Sequence, residues 1–209
     1  MEILCFDMEG TLTPEIWEQV AKNSGINGFN KTTRDIPNYS DLMDFRLDLL
    51  DKNNMNILDI QKAASQLDPL PGAKEFLDRL REKFQIVILS DTFHEIAKPL
   101  MKKLGFPMII CHTLELKNNK IISYNLRDTK TKKLAIKNFQ SLGYKCFATG
   151  DSYNDIQMFE IADKGFFMNA PKKISDTYPH IPSFHDYNDL EIALIEKSDF
   201  NKELSLKIK

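Results

Sequence analysis

Four carboxylates and one hydroxyl follow apolar runs of the chain, at places where buried strands would end. Asp7 and Glu9 follow ILCF, Ser90 follows IVIL, and Asp151 and Asp155 lie in GDSYND. The carboxyl ends of parallel strands meet at one edge of a sheet, so we expect these groups to converge. Crowded carboxylates repel one another unless a hard divalent cation such as Mg²⁺, which prefers oxygen ligands, lies between them. The pattern therefore predicts a magnesium-dependent site rather than a set of helix caps.

Asp7 and Glu9 are suited to two different tasks in phosphoryl transfer. A carboxylate nucleophile such as Asp7 divides the transfer into two steps through an acyl phosphate, while the cation neutralises charge. Residues two apart on an extended chain point to the same side, so Glu9 can reach the same space. Glu9 would protonate the leaving oxygen and then deprotonate the incoming hydroxyl, with a pKa raised by the neighbouring acids.

Phosphate would need donors at the same edge. Ser90 offers a hydroxyl, and the backbone N–H groups around Asp91 lie at a predicted helix start, where an anion is favoured. Ser90 could instead be a simple helix N-cap. A cation is expected at the start of a later helix, where Lys130, Lys132 and Lys133 compete, and the residues alone leave this choice open.

The strands that would carry these residues are short and continuously apolar, at Ile3–Phe6, Ile86–Leu89, Met108–Cys111, Cys146–Ala148 and Phe166–Met168. Helical patterns follow or separate most of them. Continuous rather than alternating hydrophobicity is typical of strands covered on both faces, which predicts an α/β fold with a parallel sheet. In the exception, Asn118 and Asn119 separate two alternating runs, which predicts an antiparallel hairpin.

A helical region lies between the first two strands. Its first helix begins at Thr13-Pro14 and stops at Gly25, its second is capped by Ser40, and its third runs from Ile57 to Leu67. We therefore predict a cap domain in this region, inserted directly after the first strand.

The domain organisation follows from this insertion. Residues 1–14 and 71–209 are predicted to form the α/β core, and residues 15–70 the helical cap. The charged tail at residues 201–209 is expected to be a frayed end.

Composition excludes several classes of protein. The 209-residue chain is 42% hydrophobic, enough for one substantial core, and its net charge of −2 argues against a nucleic-acid surface. No apolar run approaches the ~18–20 residues of a membrane span.

The three cysteines lack a metal-ligand spacing, as expected of reduced core thiols. Acids interrupt the N-terminal run, so no signal peptide is expected and the protein is predicted to be cytoplasmic. Its oligomeric state, a homodimer included, stays open.

These segments resemble the haloacid dehalogenase-like (HAD-like) phosphatases over nearly the whole chain. DMEGT is similar to the first motif of that superfamily, LSD to the second, and GDSYND to the fourth, while a lysine after the hairpin fills the third. Each fragment alone is a weak signal, but the combination is specific. The resemblance implies a HAD-like Rossmannoid parallel sheet core with an inserted helical cap and a small β-hairpin.

One departure from the superfamily points to a narrower group, because most members have Asp at the position of Glu9. DMEGTLTPEIWE, TTRDIP, VILSDTF, CHTLEL and GDSYND together resemble the bifunctional phosphoserine phosphatase/phosphoserine:homoserine phosphotransferase family, which has Glu there. The resemblance implies a Mg²⁺-dependent enzyme that takes phosphate from O-phosphoserine through an aspartyl phosphate. Water or homoserine would then accept the phosphate.

The resemblance also implies individual catalytic roles. Asp7 would be the nucleophile and Glu9 the general acid/base. Among the three competing lysines it selects Lys132, with Lys133 and then Lys130 as alternatives. Lys132, Ser90 and Asp91 would bind the phosphate end of the substrate.

A metal site is implied in the same way. Asp7, Asp151 and the main-chain carbonyl of Glu9 would be the Mg²⁺ ligands. Asn154 would contact substrate, and Asp155 would be an outer-shell partner of the site.

Two cap residues are candidates for reading an amino-acid head group. Arg46 lies four residues after Leu42 and three before Leu49, within the apolar stripe of its helix. A guanidinium there either snorkels over the core or faces a buried carboxylate ligand. The resemblance assigns Arg46 to the substrate carboxylate and Glu15 to its amino group.

Three alternatives stay open on the sequence. A HAD-like phosphatase for another small phosphomonoester is the nearest one. A receiver-type signalling module also phosphorylates an aspartate, but it needs neither the long insertion nor an acid that protonates a leaving alcohol. A noncatalytic phosphate-binding protein is disfavoured, since Asp7 would repel its ligand.

Overall fold

Seven strands form one sheet in the computed structural model, which describes residues 1–33, 35–128 and 130–199. They are β1 (Glu2–Phe6), β2 (Gln85–Phe93), β3 (Met108–Lys117), β4 (Lys120–Asn125), β5 (Lys145–Gly150), β6 (Lys164–Met168) and β7 (Ser183–Phe184). Their order is β4-β3-β2-β1-β5-β6-β7, with β3 and β4 antiparallel and every other neighbouring pair parallel. The predicted parallel α/β core with a hairpin is confirmed.

The described ranges contain nine α-helices. They are α1 (Ile16–Ser24), α2 (Tyr39–Lys52), α3 (Ile57–Gln66), α4 (Ala73–Arg81), α5 (His94–Lys103), α6 (Thr131–Ser141), α7 (Ile156–Phe159), α8 (Lys172–Thr177) and α9 (Tyr187–Lys197). Short 3₁₀ turns occur at Asn27–Asn30 and Tyr153–Asp155.

Both faces of the central strand are buried, which explains its uninterrupted hydrophobicity. Leu4 and Phe6 of β1 belong to one apolar cluster, which includes residues of α4, α5 and α9. Ile3 and Cys5 belong to a second cluster with residues of α6 and α7. The sheet is therefore the middle of three layers, and β1 holds the residue that follows it, Asp7, at the centre of the sheet edge.

Helices α1, α2 and α3 lie between β1 and β2 in the chain, where the described residues form no strand. Helix α1 ends as predicted, because Gly25 adopts a left-handed conformation and its N–H donates to the Ala21 carbonyl. A capping box between Asn56 and Asp59 begins α3. The buried faces of these helices share the apolar cluster of one sheet face. The division into a core at 1–14 and 71–209 and a cap at 15–70 stays a prediction.

The predicted cap of α2 was wrong. Asn38, rather than Ser40, precedes the helix, and its side chain accepts a hydrogen bond of 3.1 Å from the Asp41 N–H. Both residue types favour the N-cap position; with Asn38 as the N-cap, the helix begins at Tyr39. The buried face of α2 consists of Leu42, Met43, Arg46 and Leu50, while Phe45 and Leu49 are half-buried.

Strand β2 is longer than its apolar run. It continues through Ser90 and Asp91 to Phe93, with a shift of register against β3 between Leu89 and Phe93. Helix α5 therefore begins at His94, so the expected helix start around Asp91 was wrong. The two polar residues Ser90 and Asp91 interrupt the hydrophobic pattern without ending the strand.

The hairpin is confirmed in its predicted place. Asn118 and Asn119 have φ values of 50° and 65°, which match a two-residue turn that requires positive φ at both positions. The Asn119 carbonyl accepts a hydrogen bond of 3.0 Å from the Ile57 N–H of α3. The hairpin thus contacts the inserted helices as well as the sheet.

Two further expectations concern the ends of the molecule. The tail at residues 201–209 lies outside the described residues. Within the described ranges, no helix combines the length and apolar character needed to cross a membrane.

Candidate active site

Asp7 lies directly after β1, at the edge of the sheet. Its N–H donates to the Thr149 carbonyl of β5 at 2.8 Å, and its Oδ1 accepts from the Met8 N–H at 2.7 Å. The residue is buried. Burial and the nearby charge of Asp155 raise the pKa of this carboxyl well above its usual range, while Lys132 opposes the shift.

Two glycines, Gly10 in the loop after β1 and Gly150 at the end of β5, leave room for acidic side chains. Gly10 has a φ of 78°, and a Cβ at this position would overlap the Asp151 carboxylate. A Cβ on Gly150 would likewise overlap the Asp155 carboxylate. The loop is closed by a hydrogen bond of 2.8 Å from the Gly10 N–H to the Thr13 carbonyl. Glycine is required at both places because an acid occupies the space of a side chain.

Glu9 has a structural partner that the sequence did not reveal. Its Oε1 accepts a hydrogen bond of 2.8 Å from the Ile16 N–H, the first residue of α1. Burial and the neighbouring Glu15 raise the pKa of Glu9 to about 8, although the Ile16 hydrogen bond and Arg46 oppose the shift. Glu9 therefore holds a proton near neutral pH, as a general acid must.

Three carboxylates converge as a candidate metal site. Oxygens of Asp7, Asp151 and Asp155 all lie within 4.8 Å of one another. Burial and the charge of Asp155 raise the pKa of Asp151 to about 7. The donor set contains only carboxylate oxygens, which fits a hard divalent cation.

Both carboxylate oxygens of Asp155 already accept hydrogen bonds. It is fully buried, its Oδ2 accepts from the Asp151 and Ser152 N–H groups at 3.0 Å each, and its Oδ1 accepts from Lys132 at 2.8 Å. These bonds fix the loop that carries Asp151. The arrangement fits the predicted outer-shell role of Asp155.

The structure distinguishes the three candidate lysines. Lys132 is buried, and its Nζ lies 2.8 Å from Asp155 Oδ1, 3.0 Å from Asp7 Oδ1 and 3.7 Å from Asp91 Oδ2. Lys130 is exposed, and Lys133 is 4.0 Å from Glu160. Burial alone would lower the pKa of Lys132, but the carboxylates raise it well above its usual value. A fixed cation thus stands beside the predicted nucleophile.

Ser90 and Asp91 occupy the irregular part of β2. Ser90 is buried, and its hydroxyl accepts from the Thr92 N–H at 3.3 Å rather than capping α5, whose N-cap is Phe93. Asp91 accepts a hydrogen bond of 2.9 Å from the Asn154 side chain. Burial alone would raise the pKa of Asp91, but Lys132 and Asn154 hold it below its usual value.

Arg46 is a buried cation in the inserted helices. Only 6% of Arg46 is exposed, and its Nη2 donates to the Lys31 carbonyl at 3.0 Å. The guanidinium carbon lies over the Trp17 ring, 4.5 Å from the ring centre. Its Nε has no partner among the described residues, nor does any described carboxylate lie within 4.0 Å of the guanidinium. Burial lowers the pKa of Arg46, while Tyr39 and Glu9 oppose this. The head group does not snorkel to solvent and has capacity for an anion.

Glu15 stands at the start of α1. It is exposed, occupies the N-cap position without a side-chain capping bond, and influences the pKa values of Glu9, Arg46 and Asp151. The predicted residues of the cap and of the sheet edge therefore lie within electrostatic reach of one another.

Sequence reasoning missed two residues beside the site. The Tyr39 hydroxyl of α2 donates to the main-chain carbonyl of Asp91. His112 of β3 is buried with its Nε2 3.9 Å from Asp91 Oδ1. The sequence signal for Tyr39 was its position seven residues before Arg46, which lies within the apolar stripe of its helix, since that spacing places both residues on one helix face.

Comparisons with known proteins agree with this geometry. A family described as haloacid dehalogenase-like hydrolase matches residues 1–163. The chain is 45% identical over 207 residues to phosphoserine phosphatase ThrH of Pseudomonas aeruginosa, covering 99% of this chain and 100% of that protein. It is also 45% identical to a phosphoserine phosphatase of Pseudomonas syringae pv. tomato, covering 99% and 86%. The crystal structure of a phosphoserine phosphatase from T. onnurineus superposes with a TM-score of 0.71 at 25% identity, covering 94% of each chain.

Proposed function

Since the chain belongs to the haloacid dehalogenase-like hydrolase family, we propose that it dephosphorylates O-phosphoserine through an aspartyl phosphate on Asp7. The observation that carries the reaction is the placement of the buried Asp7 carboxylate 3.0 Å from Lys132, within a cluster of acids. Two phosphoserine phosphatases that are each 45% identical to this chain support O-phosphoserine as the substrate.

In the first step, an Asp7 oxygen attacks the phosphorus of the substrate. The bond from phosphorus to the serine oxygen breaks as the new bond forms. Lys132 and the Ser90 hydroxyl hold the phosphate oxygens, because an ammonium and a hydroxyl can donate to them. Glu9, whose pKa of about 8 keeps it protonated near neutral pH, gives its proton to the departing serine oxygen.

In the second step, Glu9 accepts a proton from the incoming hydroxyl group. That group attacks phosphorus, and the bond to Asp7 breaks, which restores the free carboxylate. Water as acceptor gives inorganic phosphate. Homoserine as acceptor gives phosphohomoserine, so the finer proposal is that the same site serves as a phosphotransferase.

Mg²⁺ is the proposed cofactor, held by Asp7, Asp151 and the main-chain carbonyl of Glu9. The all-oxygen donor set fits this ion, and Asp155 supports the site through its bonds to the Asp151 and Ser152 N–H groups. When bound, the ion neutralises charge shared by the nucleophile and the phosphate oxygens.

The amino-acid end of the substrate is assigned to the inserted helices. The buried guanidinium of Arg46, with an unpartnered Nε, supports binding of the substrate carboxylate. Glu15 would bind the ammonium group. Asn154 and Asp91, which hydrogen bond to each other at 2.9 Å, would line the phosphate end.

The alternative functions lack a supporting observation. A receiver-type module does not need a protonated Glu9 or a cap with a buried arginine. A small phosphomonoester that lacks a carboxylate would leave that arginine without an anion. Cytoplasmic location stays a prediction, and the oligomeric state stays open.

The test is to incubate the purified protein with phosphoserine and Mg²⁺, with and without homoserine. Free phosphate and phosphohomoserine are quantified separately. We expect free phosphate without homoserine, and phosphohomoserine in addition when homoserine is present. Failure to release phosphate from phosphoserine, with turnover of other phosphomonoesters, would overturn the proposed substrate. Absence of phosphohomoserine alone would overturn only the transferase activity.

A further inference from the structure

One hydrogen bond joins the inserted helices to the strand that carries the proposed phosphate ligands. Tyr39 is the first residue of α2, and its hydroxyl donates to the main-chain carbonyl of Asp91. Asp91 immediately follows Ser90 in β2. The bond therefore links the cap directly to the residue next to the hydroxyl that is expected to hold phosphate.

The Tyr39 ring contacts two aromatic neighbours, Phe93 and His112, which also contact each other. It stacks against Phe93 with ring centres 6.5 Å apart and lies 5.9 Å from the His112 ring. Both neighbours are buried, and His112 Nδ1 accepts from the Arg127 N–H at 3.3 Å. Burial raises the pKa of the Tyr39 hydroxyl, so it stays protonated as a donor. The hydroxyl and the ring of Tyr39 thus both contact β2, through the Asp91 carbonyl and the Phe93 ring.

Tyr39 and Arg46 are seven residues apart on α2. Seven residues are about two helical turns, or roughly 10 Å along the axis, so both side chains lie on the same face. Helix α2 therefore connects a fixed contact beside Ser90 to the buried guanidinium. Any shift of the Tyr39 end would move Arg46 relative to the phosphate ligands.

We propose that Tyr39 is a positioning residue that sets the separation between Arg46 and Ser90. It thereby favours phosphate esters whose carboxylate lies at the distance found in a phosphorylated amino acid. This inference rests on the proposed function, since it requires Arg46 to bind a substrate carboxylate. Tyr39 itself does not need to contact the reacting atoms.

The chain offers a matched control in a second tyrosine that holds α2. Tyr124 of β4 donates to the Asp44 side chain at 2.9 Å and to the Ser40 carbonyl at 3.2 Å. It anchors the same helix to the hairpin and contacts the Phe93 ring, but among the described residues it makes no hydrogen bond to β2. Tyr124→Phe therefore reports general loosening of α2 without loss of the link to Asp91.

The experiment compares phosphoserine with phosphoethanolamine, which lacks only the carboxylate. Tyr39→Phe keeps the ring and removes the hydroxyl. We expect its kcat/KM for phosphoserine to fall about tenfold, the upper range for loss of one hydrogen bond, with phosphoethanolamine changing by less than about twofold. Rates are normalised to folded enzyme measured by circular dichroism.

A double-mutant cycle with Arg46→Ala tests the coupling. Once the guanidinium is absent, Tyr39→Phe should have no further selective effect on phosphoserine. The proposal is overturned if Tyr39→Phe leaves the ratio of the two substrates unchanged, if Tyr124→Phe changes it equally, or if the effect persists without Arg46. If the wild-type protein does not dephosphorylate phosphoserine, the proposed function itself is overturned, so the two failures are distinguishable.

Discussion

Glu9→Gln removes a titratable proton from the site while keeping an oxygen that can accept a hydrogen bond. In the structure Glu9 Oε1 accepts from the Ile16 N–H at 2.8 Å, and the amide oxygen of glutamine can do the same. The substitution therefore separates the proposed acid/base chemistry from the structural contact that begins α1.

The expected magnitude follows from the two steps that need Glu9. Loss of general acid–base catalysis costs about 10²–10⁴-fold in rate, or roughly 2.7–5.4 kcal/mol of barrier. We expect turnover of phosphoserine to fall by this factor. The free energy of unfolding should change little, because the capping hydrogen bond is kept.

The two steps can be measured separately with p-nitrophenyl phosphate. Its leaving group needs no protonation, so transfer to Asp7 should stay fast in Glu9→Gln. Hydrolysis of the phosphoenzyme still needs a base and should be slow. We expect a rapid burst of nitrophenol equal to the concentration of active sites, followed by slow turnover.

Glu9→Ala is the matched control, since it also removes the hydrogen bond to Ile16. It should lose catalysis as Glu9→Gln does and, in addition, about 0.5–2 kcal/mol of stability, as expected for a lost helix cap. If Glu9→Gln shows no burst and both substrates slow equally, Glu9 only shapes the site. That result would refute the assignment of Glu9 as acid and base.

Three further predictions concern the substrate, the metal and the thiols. Arg46→Ala should lower kcat/KM for phosphoserine by a factor that corresponds to on the order of 2–5 kcal/mol, while kcat/KM for phosphoethanolamine changes little. Arg46→Lys should restore only part of the lost activity. Equal losses on both substrates would show that Arg46 is structural. Gly10→Ala should raise the Mg²⁺ concentration needed for activity, because its Cβ would displace Asp151. Gly25 has a φ of 71° and no neighbour within 4 Å of its Cβ position, so Gly25→Ala should lower only the stability of the protein. The same Mg²⁺ dependence in both variants would contradict this prediction. Burial raises the pKa of Cys111 to about 11, and all three cysteines are buried, so a thiol reagent should label them only after denaturation.

Much of the fold follows from local patterns in the sequence. Continuous apolar runs predicted β1 and its neighbours because both sheet faces are covered. The Asn118-Asn119 turn predicted the hairpin because both residues tolerate positive φ. These features depend on short stretches of chain, so they can be recognised without tertiary contacts.

The errors occur where distant contacts decide the structure. Strand β2 continues through Ser90 and Asp91 because Phe93 pairs with His112 of β3, which no local pattern indicates. The two-residue strand β7 was likewise not predicted, being too short for a periodic signal.

The site shows the same division. Motif spacing brought Asp7, Asp151 and Asp155 together correctly as a cluster. The residues alone did not distinguish Lys132 from Lys130 and Lys133, and only the family resemblance selected it; in the structure it is the lysine buried beside Asp7. The hydrogen bonds from the Ile16 N–H to Glu9 and from the Tyr39 hydroxyl to the Asp91 carbonyl depend on how the inserted helices pack, so the sequence did not indicate them.

The most direct measurement is the identity of the phosphorylated residue during turnover. The protein is mixed with phosphoserine and Mg²⁺, quenched in acid and digested, and its peptides are analysed by mass spectrometry. We predict one phosphoryl group on Asp7 of the wild-type protein. A preparation of Asp7→Asn that contains no deamidated protein should show neither this phosphoryl group nor free phosphate. Release of phosphate without phosphorylation of Asp7 would contradict the covalent mechanism. Turnover by Asp7→Asn at the rate of the wild-type protein would contradict it as well.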